Sequence, residues 1–199
     1  MAPRNRQGLY DPRSERDACG FGMVAQLDDQ PSRLLVDTAI AALSRMTHRG
    51  GVAADGLTGD GCGLLLRRPD AFLKLLAGEA GITVATRFAA GLVFLPHDAD
   101  AAQACRTQLQ VQLEAVGCRV AGWREVPIDD SVCGQLARDT LPRIEQVFVD
   151  AGVGQDGTGF ALALYLARRR SEQQLRDHGD FYVTTLTPNA ISYKGMVLP

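Results

Sequence analysis

The order of helical and extended patterns along the chain limits its fold more than any other feature. Apolar runs typical of strands alternate irregularly with amphipathic segments of helical period, and two neighbouring strand patterns at 181–186 and 191–193 predict a closing hairpin. No regular strand–helix–strand repeat is present. The sequence therefore favours an α+β layered domain over a doubly wound parallel sheet. With 199 residues, of which 46% are hydrophobic, the chain can build one substantial core but hardly two.

Hydrophobic period and chain-breaking residues together predict the individual elements. A glycine-rich buried strand should run from Cys19 to Leu27, and a loop should cover 51–61. The predicted helices are 32–47, 70–80, 99–116, 131–141 and 160–175. The other predicted strands are 62–67, 88–95, 119–126 and 144–149.

The two ends of the chain differ from its middle. Residues 1–18 are polar, rich in Arg and Asp, and contain Pro3 and Pro12, which predicts a leader outside the core. The folded domain should therefore comprise 19–199. Because the last residues follow directly on a strand, we expect a domain that is truncated at its C-terminus.

Charge and cysteine spacing exclude several classes of protein. A formal net charge of −2 without a long basic run argues against nucleic-acid binding. No stretch has the roughly 20 apolar residues that a membrane span needs, so we expect a soluble cytoplasmic protein. The five cysteines form no CxxC pair, which predicts free thiols and no metal site.

Cys19 is the candidate nucleophile. It follows the polar leader and opens a glycine-flanked segment, although a free cysteine is more often a buried core residue. Cleavage between Ala18 and Cys19 would give this residue an α-amino group that could act as its base. His97 and His178 lie in polar stretches, and His48 suits the end of a helix, so a cysteine–histidine pair is disfavoured.

Five segments carry a family resemblance in a fixed order. The segments are 17–22 (DACGFG), 46–50 (MTHRG), 54–63 (ADGLTGDGCG), 142–149 (PRIEQVFV) and 193–196 (YKGM). The longest motif is the glycine-rich block at 54–63. Together the five segments resemble the class II glutamine amidotransferase domain of glutamate synthase large subunits, and the resemblance extends over nearly the whole chain from about Leu9.

The resemblance implies an N-terminal-nucleophile (Ntn) hydrolase-like four-layer αββα sandwich with antiparallel sheets, in which Cys19 attacks glutamine. It further implies that Arg49 and Gly50 support the pocket, and that Asp60 and Gly61 shape the adjoining loop. Arg49 could instead cap helix carbonyls, and Asp60 could merely fix a turn. The family's carboxylate-binding arginine and its oxyanion-hole Asn-Gly pair would lie beyond Pro199, so residues 1–199 alone should be nearly inactive.

The same resemblance implies the partners. The substrate would be L-glutamine, and the ammonia would pass to 2-oxoglutarate at a site in the remaining domains of the parent subunit. FMN and an iron–sulfur cluster would bind there, with no cofactor or metal in this segment. A small subunit could deliver electrons, and NADPH, NADH and ferredoxin all remain open as donors. A stand-alone Ntn amidase and a noncatalytic α+β interaction module are the alternatives.

Overall fold

The computed structural model describes residues 20–47, 50–177 and 180–195. These residues form five helices and six strands, and most of the predicted elements are confirmed. The helices are α1 (Arg33–Ser44), α2 (Asp70–Glu79), α3 (Ala99–Ala115), α4 (Gln135–Asp139) and α5 (Gly157–Gln174). The strands are β1 (Cys62–Arg67), β2 (Phe88–Leu95), β3 (Arg119–Glu125), β4 (Arg143–Asp150), β5 (Tyr182–Thr187) and β6 (Ala190–Gly195).

A four-stranded antiparallel sheet forms the centre of the domain, with the strand order β3-β4-β2-β5. Strand β2 is apolar along its whole length because both of its faces are covered. At Gly91 the neighbouring strands approach most closely, since an added Cβ would lie 2.7 Å from the Thr185 carbonyl oxygen. Only glycine permits that approach without displacement of the backbone.

Helices α3 and α5 cover one face of this sheet. Their apolar stripes, which include Leu109, Leu113, Phe160 and Leu164, are fully buried against β2, β4 and β5. Asp156 begins α5 by accepting a hydrogen bond of 2.6 Å from the Gly159 backbone N–H. The helix thus starts three residues before the predicted start at 160, because the glycines of the first turn carry no apolar period.

A second sheet packs on the opposite face. It consists of β1 and β6, paired antiparallel from Cys62 opposite Gly195 to Arg67 opposite Ala190. Ile191 of β6 packs with Phe148 of the central sheet and with apolar side chains of α2. The described layers therefore run helices, sheet and sheet, and α1 contacts β1 on the far side.

The predicted closing hairpin is wrong. Strands β5 and β6 follow each other along the chain, but β5 pairs with β2 and β6 pairs with β1. The turn between them carries the chain from one sheet to the other, and the Ser192 backbone N–H donates to Thr185 Oγ1 at 3.0 Å. Strand β5 pairs instead with the eight-residue β2, and β6 pairs with β1 over six residues.

The predicted buried strand from Cys19 to Leu27 is also wrong over its described part. Residues 20–26 adopt no regular structure, and Phe21, Met23 and Leu27 are exposed. A strand persists only where neighbouring backbone groups pair with it and its apolar face is covered, and no described strand lies beside this segment.

Two helices are shorter than predicted. Ser32 caps α1 as expected by accepting from the Leu35 N–H at 3.1 Å, but the helix ends at Ser44 and buries none of its residues. Helix α4 comprises only five residues between Gly134 and Thr140, instead of the predicted 131–141. The residues before it form a turn stabilised by Asp129 and Asp130.

Candidate functional site

The glycine-rich block folds into a small hairpin-like loop, which we call the 51–60 loop. Val52 and Gly59 form an isolated antiparallel bridge, and the Ala53 backbone N–H donates to the Thr58 carbonyl at 2.9 Å. At its base the Asp60 N–H donates to the Gly51 carbonyl at 3.3 Å. The loop therefore has a defined base and a defined tip.

Three of the predicted site residues lie at this base. Gly50 donates its N–H to the Thr47 carbonyl at 3.2 Å, which links the base to the turn after α1. Gly61 has a φ of 109°, a conformation that side chains rarely permit, so glycine is required there. Asp60 is exposed, and its carboxylate lies against Gly51. Gly50, Asp60 and Gly61 are thus neighbours in space.

Cys19 and Arg49 lie outside the described residues, as do His48 and His178. Their predicted roles stay predictions. His97 lies in an exposed turn after β2, in keeping with its expected place in a polar loop.

The tip of the 51–60 loop is organised by Asp55. One carboxylate oxygen, Oδ1, accepts from the Thr58 N–H at 2.8 Å and from the Leu57 N–H at 3.1 Å. The other oxygen, Oδ2, accepts from the Thr58 hydroxyl at 2.6 Å. The Thr58 hydroxyl, followed by the backbone donors, holds the pKa of this carboxyl well below its ordinary value of 3.8.

The same tip is fastened to the start of α4. The Leu136 N–H donates to Asp55 Oδ2 at 3.3 Å, and the Ala137 N–H donates to Thr58 Oγ1 at 3.2 Å. Thr58 is 3% exposed. Two side chains of a distant loop thereby satisfy backbone donors that a helix leaves unpaired in its first turn.

Gly134 completes this contact. A Cβ built on it would lie less than 3.0 Å from both Asp55 Oδ2 and Thr58 Oγ1, and 2.7 Å from the Thr58 backbone nitrogen. Sequence reasoning assigned no role to Asp55, Thr58 or Gly134. The available signal was an Asp followed by Gly and, three residues on, by Thr, which is a turn pattern. Its distant partner had no sequence signature.

Three of the five motifs meet in space. The block at 54–63 continues into β1, where Gly63 pairs with Lys194 of the 193–196 motif. A Cβ on Gly63 would lie 2.9 Å from the Tyr193 carbonyl oxygen, so this glycine allows close pairing. Tyr193 in turn accepts a 3.2 Å hydrogen bond at its hydroxyl from the Gln146 amide of the 142–149 motif.

The described cysteines are poorly suited to nucleophilic chemistry. Burial raises the pKa of the Cys62, Cys105 and Cys118 thiols, which lowers the thiolate fraction near neutral pH. The predicted free thiol state is confirmed for Cys105, Cys118 and Cys133, and Cys62 forms no disulfide with another described cysteine. Over the described ranges, no group of three or more His, Cys, Asp and Glu side chains could hold a metal ion.

Other surface features do not point to the site. A shallow groove of about 490 Å³ lies between the segments 85–87 and 151–156 and contains none of the predicted site residues. In the part of the chain that the structure describes, no helix is long and apolar enough to cross a membrane.

Known proteins are similar to this chain over nearly its whole length. It is 40% identical over 193 residues to the glutamate synthase [NADPH] large chain of Azospirillum brasilense, covering 95% of this chain and 13% of that protein. It is 35% identical to the corresponding large chain of Bacillus subtilis (97% and 13% covered), and 36% identical to ferredoxin-dependent glutamate synthase 1 of Arabidopsis thaliana (95% and 12%).

The chain therefore spans about one eighth of the length of these relatives. The family described as glutamine amidotransferases class-II matches residues 19–199, beginning at Cys19. The antiparallel sheets and covering helices agree with the α+β Ntn-hydrolase fold that the resemblance implied. On this evidence the chain belongs to the class II glutamine amidotransferases.

Proposed function

We propose that this chain is part of the glutaminase domain of a glutamate synthase large subunit. The complete domain hydrolyses L-glutamine to glutamate and ammonia, and the ammonia is then transferred to 2-oxoglutarate. The observation that carries the proposal is the family match over 19–199, together with relatives that are glutamate synthases. A stand-alone amidase or an interaction module is disfavoured by the same relatives.

In the proposed reaction the Cys19 thiolate attacks the side-chain carboxamide carbon of glutamine. The carbon–nitrogen bond then breaks, and ammonia leaves with the proton that the cysteine α-amino group transfers to it. A thioester remains on Cys19. Water, deprotonated by the same amine, attacks the thioester and releases glutamate with the regenerated thiol.

The amine acts as the base only after residues 1–18 have been removed, because an amide nitrogen accepts no proton near neutral pH. The start of the family match at Cys19 supports this leader boundary. We therefore propose 1–18 as a propeptide and 19–199 as part of the amidotransferase domain.

The base of the 51–60 loop supports the pocket in this proposal. Arg49 and Gly50 are proposed to support the pocket beside the cysteine, and Asp60 and Gly61 to shape the adjoining loop. Supporting observations are the proximity of Gly51 to Asp60 and the positive φ of Gly61.

FMN and an iron–sulfur cluster are proposed to bind in the remainder of the parent subunit. We propose the cytoplasm as the location of that protein. The names of similar proteins include NADPH, NADH and ferredoxin as donors, so the donor of this protein stays open among the three. A small electron-donating subunit is a proposed partner.

Glutamine hydrolysis by the complete parent protein tests the proposal. Wild type should release glutamate from glutamine, and Cys19→Ala should abolish the release. Cys105→Ala is the matched control, because Cys105 lies on the buried face of α3. N-terminal sequencing of the active protein should begin at Cys19. Activity that survives Cys19→Ala would overturn the proposed function, and an active protein that retains 1–18 would overturn the mechanism.

A further inference from the structure

The contact between the 51–60 loop and α4, which we call the clasp, consists of Asp55, Thr58 and Gly134. It joins segments that are about 80 residues apart in the sequence. The base of the same loop carries Gly50, Asp60 and Gly61 of the proposed site. The clasp therefore fixes the tip of the loop whose base is proposed to support the pocket.

We propose that Asp55 and Thr58 are positioning residues for the glutaminase site, because their bonds to the start of α4 set the orientation of the 51–60 loop. This inference rests on the proposed function. Neither side chain needs to touch glutamine for the effect, since a small displacement of pocket residues can lower the rate of a reaction up to about a hundredfold.

The two carboxylate oxygens of Asp55 accept different hydrogen bonds in the clasp. Oδ1 closes the loop on itself through the N–H groups of Leu57 and Thr58. Oδ2 binds the Thr58 hydroxyl and reaches α4 through the Leu136 N–H. Asp55→Asn can keep its carbonyl oxygen at Oδ1, but its NH2 group would then face the Leu136 donor. This variant therefore breaks the Asp55 link to Leu136 of α4 and spares the local turn.

The Thr58 hydroxyl is the second link, because it donates to Asp55 and accepts from Ala137. Thr58→Val keeps the shape of the buried side chain and removes both bonds, whereas Thr58→Ser keeps the hydroxyl. Thr107→Val on the exposed side of α3 makes the same chemical change away from the clasp.

The test compares these variants in the complete parent protein. We expect Thr58→Val and Asp55→Asn each to lower kcat/KM for glutamine about tenfold or more. Thr58→Ser should restore most of the activity, and Thr107→Val should equal wild type. Two rates of Cys19 modification provide a second readout: inactivation by a diazo-ketone analogue of glutamine, which needs the pocket, and alkylation by iodoacetamide, which does not.

A positioning role predicts that the clasp variants slow the diazo-ketone reaction and leave iodoacetamide alkylation of Cys19 unchanged. Equal changes in both rates, or values of kcat/KM equal to that of Thr107→Val, would overturn the inference. If Thr58→Val does not fold, Asp55→Asn and Thr58→Ser give the same comparison. A wild type that neither hydrolyses glutamine nor reacts with the analogue would instead overturn the proposed function.

Discussion

At the scale of single residues, ionisation of the Asp55 carboxyl makes the free energy of unfolding depend on pH. Hydrogen bonds from Thr58 and Leu57 depress its pKa below the ordinary 3.8 in the folded state. At a pH well above 3.8, Asp55 is ionised in both the folded and the unfolded state, and its contribution to the free energy of unfolding is fully present. As the pH falls below 3.8, Asp55 of the unfolded state takes up a proton first, so this contribution is lost.

We therefore predict that Asp55→Asn lowers the free energy of unfolding most near neutral pH. The difference from wild type should shrink as the pH falls below about 4, because wild type then loses the same contribution. Urea unfolding followed by circular dichroism from about pH 7 to about pH 2.5 measures the difference. A difference that stays constant over this range would contradict the assigned role of the carboxylate.

Thiol reactivity gives a second prediction at this scale. Cys105 and Cys118 are buried, and burial raises their pKa, so both should resist iodoacetamide in the native protein. Cys19 should react, as its proposed role requires. Peptide mapping after brief labelling at neutral pH compares the three sites, and labelling in urea confirms that each can be modified. Rapid native labelling of Cys105 would contradict the buried core described for α3.

The residues of the proposed site were drawn from sequence motifs. Cys19, Gly50, Asp60 and Gly61 all lie in segments with a family resemblance, and the structure brings the last three together. Thr58 and Asp55 lie in the same block, but their role depends on Gly134, which lies about 80 residues later. Contacts over such separations leave no periodic signal in a single sequence.

At the scale of elements, replacement by alanine should have opposite effects on stability at two glycines. Gly91 lies in the middle of β2, where an added Cβ would meet the Thr185 carbonyl oxygen at 2.7 Å. Gly78 lies in α2 with nothing within 4 Å of the added atom. There is no room for a methyl group at Gly91, but there is room for one at Gly78.

Gly91→Ala should destabilise the protein by about 1–3 kcal/mol because neighbouring strands must move apart. Gly78→Ala should stabilise it by about 0.5–1 kcal/mol because alanine restricts the unfolded chain and favours the helix. Thermal unfolding of both variants beside wild type measures the two shifts. A Gly91→Ala variant that unfolds at the same temperature as wild type, or at a higher one, would show that the packing described around Gly91 is wrong.

Element type was predictable from period, but the pairing of strands was not. The patterns at 181–186 and 191–193 correctly indicated two strands, yet sequence proximity suggested a hairpin that does not form. Pairing depends on which strands the packing of the whole domain brings side by side, and both partners are distant in the sequence. Likewise, the apolar run after Cys19 fits a strand, but a strand forms only with a neighbour.

At the scale of the whole molecule, apolar surface is distributed unevenly. Helices α3 and α5 cover one face of the four-stranded sheet. The β1-β6 sheet has only two strands among the described residues, so each of its strands is an edge strand. Leu65 on β1 is 67% exposed, and Leu34 on the nearby helix α1 is 75% exposed. An open edge beside apolar side chains is a template for association.

We therefore predict that residues 1–199, prepared alone, self-associate through the β1-β6 sheet. The apparent mass from light scattering should rise with concentration. Leu65→Lys should reduce that rise, because a charge on a small exposed sheet opposes the stacking of apolar faces and the addition of strands. Val153→Lys is the matched control: Val153 is fully exposed in the turn before α5, so its replacement should leave association unchanged. A wild-type chain that stays monomeric at high concentration, or equal effects of the two lysines, would show that this sheet does not direct association.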